Sequence, residues 1–467
     1  MDFITWEEST KETNEQNFNK KIFQLLSIYV SLGNKTSKIS LLLESDIRVL
    51  IIYHIYGDCL NPGSFNASKV DKSNFAAVML LNLGTLSWFF IFIFYMEDIF
   101  VTLNLNTLAW ANFVGNSLVY GFAIFWSIAV SFIGSRINRK KLLFASIILG
   151  IFSTVFLAFA KGPISTSIVG SLMGMSLGLG LPSSMALVAN NTVVENRGRA
   201  SGIIILGTFI ITFAFMGIHR LLTLDLVHLI MIMAAVRSTS LFALVVGKFG
   251  RPLTKVEQKI RLPTTTYREF IFYLSPWVMF TIASSLAHSL ISDAGFGSGI
   301  YLGESLRYVF IAVFGLAAGF IADRFGPKQP IILGLATLGI AYLLLGFNMN
   351  EMSANIYYAL SGITWGLFFV VFLAVPGDLS TPVLREKFYA LGYILPLTGL
   401  FALSAIPIEN IADILPPETI AQIVGICLFL SMYPVFRAKE TLIESKIQER
   451  KMKEYVERVG KTIQEAE

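Results

Sequence analysis

The sequence predicts an all-α polytopic membrane protein with twelve transmembrane helices in two pseudo-symmetric six-helix bundles. Three observations carry that prediction. Hydrophobic residues fill 54% of the 467 positions and charged residues only 14%, apolar runs of spanning length recur, and basic residues gather in alternate breaks between them. A soluble chain of this length needs more charge to cover its surface. The 39 Phe and 36 Gly point the same way, because lipid-facing helices take Phe and close helix crossings take Gly. Cys59 and Cys427 are too few for a disulfide framework, and the four histidines, His54, His219, His228 and His288, are too dispersed for a metal centre.

Residues 1–73 read as an N-terminal cytoplasmic segment. The acidic start lacks a basic region followed by an apolar run, so no cleavable signal is expected. A short helix is expected near Lys20 to Val30. The run DIRVLIIYHIY is too short to cross a hydrocarbon core of roughly 30 Å.

Twelve apolar runs then follow: Phe75 to Tyr95, Leu108 to Ile133, Leu142 to Phe159, Ile164 to Ala189, Gly202 to Ile218, Leu226 to Val246, Phe270 to Ile291, Tyr308 to Ala322, Ile331 to Phe347, Ile356 to Val375, Tyr389 to Ile408 and Ile420 to Phe436. The breaks after the even-numbered runs hold sixteen Lys and Arg, whereas those on the other side hold Lys161, Arg220 and Arg307. The positive-inside rule therefore puts the even-numbered breaks and both termini in the cytoplasm. The net charge of +5 is then a record of topology, and no nucleic-acid partner is expected. The expected domains are a first six-helix bundle at 74–247, a basic cytoplasmic linker at 248–266, a second bundle at 267–437 and a charged, helical cytoplasmic tail at 438–467.

The halves repeat. Gly319, Asp323, Arg324, Gly326 and Lys328 stand against Ser131, Ser135, Arg136, Asn138 and Lys140 at an offset of 188, and Ala200 and Gly202 stand against Ala390 and Gly392 at 190. Gly326 and Asn138 fall where a tight hairpin takes a left-handed residue. Asp323 falls where a carboxylate can face a helix N-terminus or a guanidinium. Glycines 174, 178, 362 and 366 are placed for close helix contacts.

The run Gly319 to Lys328, its degenerate echo at Ser131 to Lys140, the Arg197 to Gly202 run and the six-plus-six layout resemble the major facilitator superfamily of transporters. The resemblance covers residues 74 to 437 and implies a gate in which Asp323 contacts the start of the fifth span, near Arg199 to Gly202. Within each half, Arg324 is expected near Asp378 and Arg136 near Glu195, with Arg197 and Arg199 in the same gate. Ser135 replaces the acid in the first copy, and Gly170 and the fifth span lack marks of proton-coupled drug exporters of that superfamily.

A solute site near the bilayer midplane is expected on polar and aromatic groups. The candidates are Asn82 and Trp88, the stripe Asn112, Asn116 and Tyr120, the stripe Tyr273, Trp277, Ser284 and His288, and Trp365 and Tyr393. Arg237, mid-span, reads either as an anion ligand in the cavity or as a structural donor. No Asp or Glu falls mid-span, so the usual carboxylate proton carrier is absent from the pattern.

The expected function is a secondary or facilitative transporter of a small organic solute in the plasma membrane, working by alternating access as a monomer, with the bilayer and that solute as its partners. No cofactor, metal or catalytic residue is expected. An enzyme is disfavoured because the Gly-Lys-Thr at Gly460 has Tyr455 where a phosphate-binding loop needs its first glycine. The different-class alternative is a transporter-derived sensor or scaffold that signals through its N-terminal segment and tail.

Overall fold

Helices begin and end where local chemistry stops the chain from continuing, and the first such stop is informative. The sequence reading puts Asn138 at a left-handed hairpin position, but its φ of −62° and ψ of 115° are extended, and its side chain accepts from the Lys140 N–H at 3.0 Å. It caps the following helix because a short amide satisfies an orphan donor there better than a bent backbone would. Gly326, its counterpart in the repeat, does take a positive φ of 92°.

The computed structural model describes residues 72–103, 113–133, 138–222, 225–247, 249, 264–392 and 415–442. They form α1 (Lys72–Thr102), a π-helical turn (Phe113–Tyr120) leading into α2 (Gly121–Ile133), α3 (Arg139–Leu157), α4 (Pro163–Asn190), α5 (Val194–Leu222), α6 (Leu226–Val246), α7 (Thr264–Asp293), α8 (Tyr301–Phe325), α9 (Lys328–Phe347), α10 (Glu351–Leu379), α11 (Pro417–Leu430) and α12 (Met432–Arg437). Among the described residues ten helices are long and apolar enough to cross a membrane, and Ser117–Phe132 is a shorter apolar helix. The expected helix at Lys20 to Val30 and most of the run Tyr389 to Ile408 lie outside the described residues. Of the expected helical tail, Ala438 to Leu442 are described and are not helical.

Several helices are longer than their apolar runs, although Leu226–Val246 matches its run and the run Ile420 to Phe436 is divided between Pro417–Leu430 and Met432–Arg437. Tyr308 to Ala322 becomes Tyr301–Phe325, and Gly202 to Ile218 becomes Val194–Leu222. Caps set the ends: Asp225 accepts from the His228 N–H at 3.0 Å, Asn350 and Ser353 form a reciprocal capping box, and Pro163 opens α4.

In the first half α1 packs on α4, α5 and α6, while α4 also packs on α2 and α3. In the second, α10 packs on α7, α8 and α9, and α9 on α11. Helix α5 lies along α8 and α10, joining the halves. Close crossings are made at glycine. A Cβ on Gly178 would stand 2.5 Å from the Ala123 carbonyl oxygen, and one on Gly366 would stand 2.6 Å from that of Ile311. Gly174 meets the Val119 backbone and Gly362 the Arg307 backbone in the same manner. Each of these pairs repeats at 188 residues. So does a hydroxyl bond: Ser176 donates to the Ser146 carbonyl at 2.7 Å, and Thr364 to that of Gly334 at 2.9 Å. The duplication is therefore built into the helix contacts. Large apolar side chains such as Phe132, Phe152, Phe242, Phe320 and Phe347 stay exposed, as a surface solvated by lipid requires.

Candidate functional site

The loops rich in Arg and Lys share one end of the bundle, and there the halves are bonded to each other. Asp323, near the end of α8, accepts from the backbone N–H of Gly198 at 2.7 Å, the N–H of Arg199 at 3.0 Å and the Arg199 Nε at 2.9 Å. Gly198 and Arg199 lie in the first turns of α5, whose exposed N–H groups and positive dipole favour a carboxylate. The approach needs glycine on both helices. A Cβ on Gly198 would stand 2.6 Å from the Gly319 carbonyl oxygen, and one on Gly319 would stand 2.5 Å from that of Gly198. Gly326 then ends α8, and Lys328 starts α9.

Asp378 departs from its expected partner. It pairs with the nearly buried Arg197 of the opposite half, not with Arg324, and also accepts from Thr441 Oγ1 at 3.1 Å. Arg197 is fixed from behind by the carbonyls of Ala189 and Thr192, each at 3.2 Å. Its fork therefore faces the other half. Arg324 stands over the Phe325 ring at 5.3 Å. Arg136 lies outside the described residues, so its expected partnership with the half-buried Glu195 is not described.

Four further cross-half contributors escaped the sequence reading. Arg139 pairs with Glu386, and Arg385 donates to Asn190 Oδ1. Burial, followed by the neighbouring charges of Arg197 and Arg139, pushes the Arg385 guanidinium down to about 10. Arg197 and Asp378 lie 188 residues before and after Arg385 and Asn190 respectively, so the two contacts are repeat mates. This register differs by two residues from the 190 of the sequence alignment. Among the described residues, every hydrogen bond between the halves lies at this basic end.

A strap closes over the same end. Lys439 donates its N–H to Glu269 at 2.6 Å and accepts from the Tyr273 hydroxyl at 2.9 Å, while Thr441 reaches Asp378. Tyr273 is therefore no midplane solute ligand, because its hydroxyl is committed to the strap. Thr441 and Leu442 help line a small pocket with Asp323, Asp378, Gly198 and Pro327.

Further in, rings from both halves form a layer. Phe94 meets Tyr308 at 4.5 Å, Phe90 meets Phe209 at 4.9 Å and Phe369 at 5.4 Å, and Phe213 meets Tyr308 at 6.1 Å. On the second-half side, Trp365 packs 4.6 Å from Phe280 and 5.0 Å from Phe369, and its Nε1 is buried with no acceptor. Trp277 stacks on Phe372 at 4.2 Å and donates to the Gly392 carbonyl at 3.1 Å.

The other solute candidates divide. Asn82 is fully buried and donates to the carbonyls of Val78 and Ser184, tying α1 to α4 within one half. Trp88 turns into the same half, bonded to Thr154 at 2.9 Å. Tyr120 is buried, but the stripe it was expected to share assumes 3.6 residues per turn, and Phe113–Tyr120 is π-helical. Asn112 and Tyr393 lie outside the described residues, as do the side chains of Asn116 and His288.

Arg237 takes its structural reading. It is 0% exposed inside the first half, with Nη1 2.7 Å from Thr85 Oγ1, Nη2 3.3 Å from Ser146 Oγ, and its guanidinium 4.8 Å above the Trp88 ring.

Solved structures share this fold. The human organic anion transporter MFSD10 superposes with a TM-score of 0.61 at 13% identity, over 78% of this chain and 99% of that one. The major facilitator superfamily proton:xylose symporter XylE gives 0.60 at 15%, over 81% and 97%. The chain has the major facilitator superfamily fold. A bacterial homologue of the iron transporter ferroportin, in an outward-facing state, has a TM-score of 0.59 at 15% identity, over 79% of this chain and 99% of that one. In sequence, an uncharacterized MFS-type transporter of Methanocaldococcus jannaschii is 29% identical over 150 residues. That match spans 32% of this chain and 37% of the relative, well short of two thirds of its length. No family model matches the sequence. Within the superfamily fold, the Gly319 to Lys328 hairpin and the start of α5 occupy the junction between the two bundles.

Proposed function

We propose that the chain is a secondary or facilitative transporter that moves a small organic solute by alternating access of its two six-helix halves. The carrying observation is the junction just described: the halves are held at one end by Asp323 on the α5 N-terminus and by the Arg197–Asp378 pair, above a layer of rings drawn from both. In this reading Gly319, Asp323, Arg324, Gly326, Lys328, Arg136, Glu195, Arg197, Arg199 and Asp378 belong to the gate. Bonds concentrated at one end can release together while the solute site stays between the halves. The basic loops make that end cytoplasmic by the positive-inside rule. A monomer in the plasma membrane is the working assignment. Structural relatives named for an organic anion, for xylose and for iron, all at 15% identity or below, do not choose a substrate.

Flux of labelled solutes into proteoliposomes tests the reading, and a chain that moves none of a broad panel refutes it. Asp323→Asn should shift the protein toward opening at the basic end, read as increased labelling of a cysteine placed there. Unchanged labelling removes Asp323 from the gate.

The sensor reading draws support from one observation, the strap at Lys439 to Thr441, which ties the start of the tail to gate residue Asp378. It predicts ligand-dependent exposure of the tail without flux.

A further inference from the structure

We propose that Arg307 and Trp365 form the polar end of the solute site, and that the solute is a small organic anion with a flat apolar body. The inference rests on the transporter reading and names the substrate class of that site.

Arg307 looks like a loop charge in the sequence, because the apolar run begins after it. In the structure α8 begins at Tyr301, which puts Arg307 inside the span. Its guanidinium carbon lies 5.8 Å from the Tyr358 ring and 5.7 Å from the Trp365 ring. Its Nε is buried and has no acceptor, and neither does the indole N–H of Trp365. A buried donor left unmade costs about 1–3 kcal/mol, and a cation in a span is costly in proportion to its depth, so Arg307, within two turns of the start of α8, is placed at a smaller cost than a mid-span charge. A carboxylate or a similar two-oxygen anion would take both N–H groups and neutralise the charge.

The scaffold does not call for these side chains. The close contact at Gly362 involves the Arg307 backbone, and its repeat mate at Gly174 meets the backbone of Val119. The residues 188 positions before Arg307, Tyr358 and Trp365 are Val119, Gly170 and Leu177, which pack the first half without a charge or a ring. The second half therefore carries a half-buried cation beside two rings, on a frame that holds together without one.

The surroundings select the rest of the solute. Trp365 packs on Phe280 and Phe369, and Phe369 on Phe90 and Phe209 of the opposite half, so an apolar body lying beside the indole meets ring faces and edges. Arg237, fully buried where Arg307 is half-buried, also leaves its Nε without an acceptor, but serine and threonine hydroxyls take up both of its terminal nitrogens. Glu304, one helical turn before Arg307, is the acid whose charge competes for it, and the two form no ion pair among the described residues.

The test uses purified full-length protein and three matched series built on the same aromatic bodies: carboxylates such as benzoate and naphthoate, the corresponding amides, and the corresponding amines. Tryptophan fluorescence and thermal shift should report binding of the carboxylates alone. Arg307→Gln should weaken that binding at least tenfold, Arg307→Lys should restore part of it, and Glu304→Gln should tighten it. The inference is overturned if no carboxylate binds, if amides or amines bind equally well, or if Arg307→Gln leaves carboxylate affinity unchanged. Flux assays on the same preparations separate the two claims: transport of an amine or a neutral solute would refute the anion site and leave the transporter standing, whereas carboxylate binding without any flux would do the reverse.

Discussion

At the helix crossings the two halves are one structure written twice. Gly174 and Gly178 in α4 receive the backbones of Val119 and Ala123 as Gly362 and Gly366 in α10 receive those of Arg307 and Ile311, and Ser176 bonds α3 as Thr364 bonds α9. Where the halves face one another, and within each bundle, the copies differ. Asp378 meets Arg197 as an ion pair, whereas its mate Asn190 meets Arg385 as a neutral acceptor. Arg237 fills the first bundle where the second has Gly425, packed against Leu343 and the Gly339 carbonyl. Frame contacts constrain residue size and so resist change, while polar contacts need only a partner and are free to diverge.

The comparison breaks most severely at its shared part. Gly174→Leu and Gly362→Leu should each cost about 3 kcal/mol or more, because a side chain would be driven into backbone that cannot step aside. Equal losses of thermal stability in the two variants are expected, measured in the same detergent. A tolerated substitution in one half would mean that the frame is not used alike in both.

Next comes the asymmetry of the proposed gate. Asp378→Asn leaves Arg197 buried beside an amide and should disfavour closure by about 3 kcal/mol. Asn190→Asp copies the charged arrangement into the other half, where Arg385 is ready to pair, and should favour closure. Cysteine labelling at the basic end reads both variants, and the same sign for both would show that the two contacts do not act as mates.

A smaller effect is expected at Arg237. Its neighbours have other acceptors, since Thr85 also bonds the Leu81 carbonyl and Ser176 that of Ser146. Arg237→Met removes a charge buried without an acid and keeps most of the volume, so stability should hold or rise by about 1 kcal/mol. A marked loss would show that the cation itself organises the first half.

The hairpin, the duplication, the glycine contacts and the reach of Asp323 to the start of α5 were all legible in the sequence. The first three depend on spacing along one chain, which a sequence records, whereas the reach of Asp323 was implied by the resemblance of the Gly319 to Lys328 run to a known superfamily. The partner of Asp378 was not legible, because charge pattern brings Arg197 and Arg324 to the same end and only packing decides which fork faces the carboxylate. Arg307 was missed for a different reason: an arginine ends an apolar run by composition even where the helix continues through it. Tyr273 was misread because its partner is a backbone carbonyl, which no side-chain pattern announces.

The smallest expected effect tests the strap, which docks on Glu269, Tyr273 and Asp378 of the second half. Glu440 has its carboxyl pushed up to about 7, chiefly by burial and further by the charge of Asp378, against the N–H groups of Thr441 and Leu442 and the charge of Lys328, which pull it down. Glu269, Asp323, Asp378, Glu386 and Glu195 are the other acids at that end. Asp378, which Thr441 of the strap bonds, is itself pushed up to about 6 by burial, and Arg197 is already paired with it. The docked strap thus binds a proton more tightly than a free glutamate, whose ordinary value is 4.5. Docking is therefore favoured at acid pH, weakens as pH rises from about 4.5 to about 7, and changes little beyond, by about 1 kcal/mol once solvent screening is allowed for. Hydrogen exchange of residues 438–442, corrected for its intrinsic pH dependence, should speed up across that window. Glu440→Gln should flatten the dependence. A slope that persists in the variant would assign the titration to another acid at the basic end and leave the strap indifferent to Glu440.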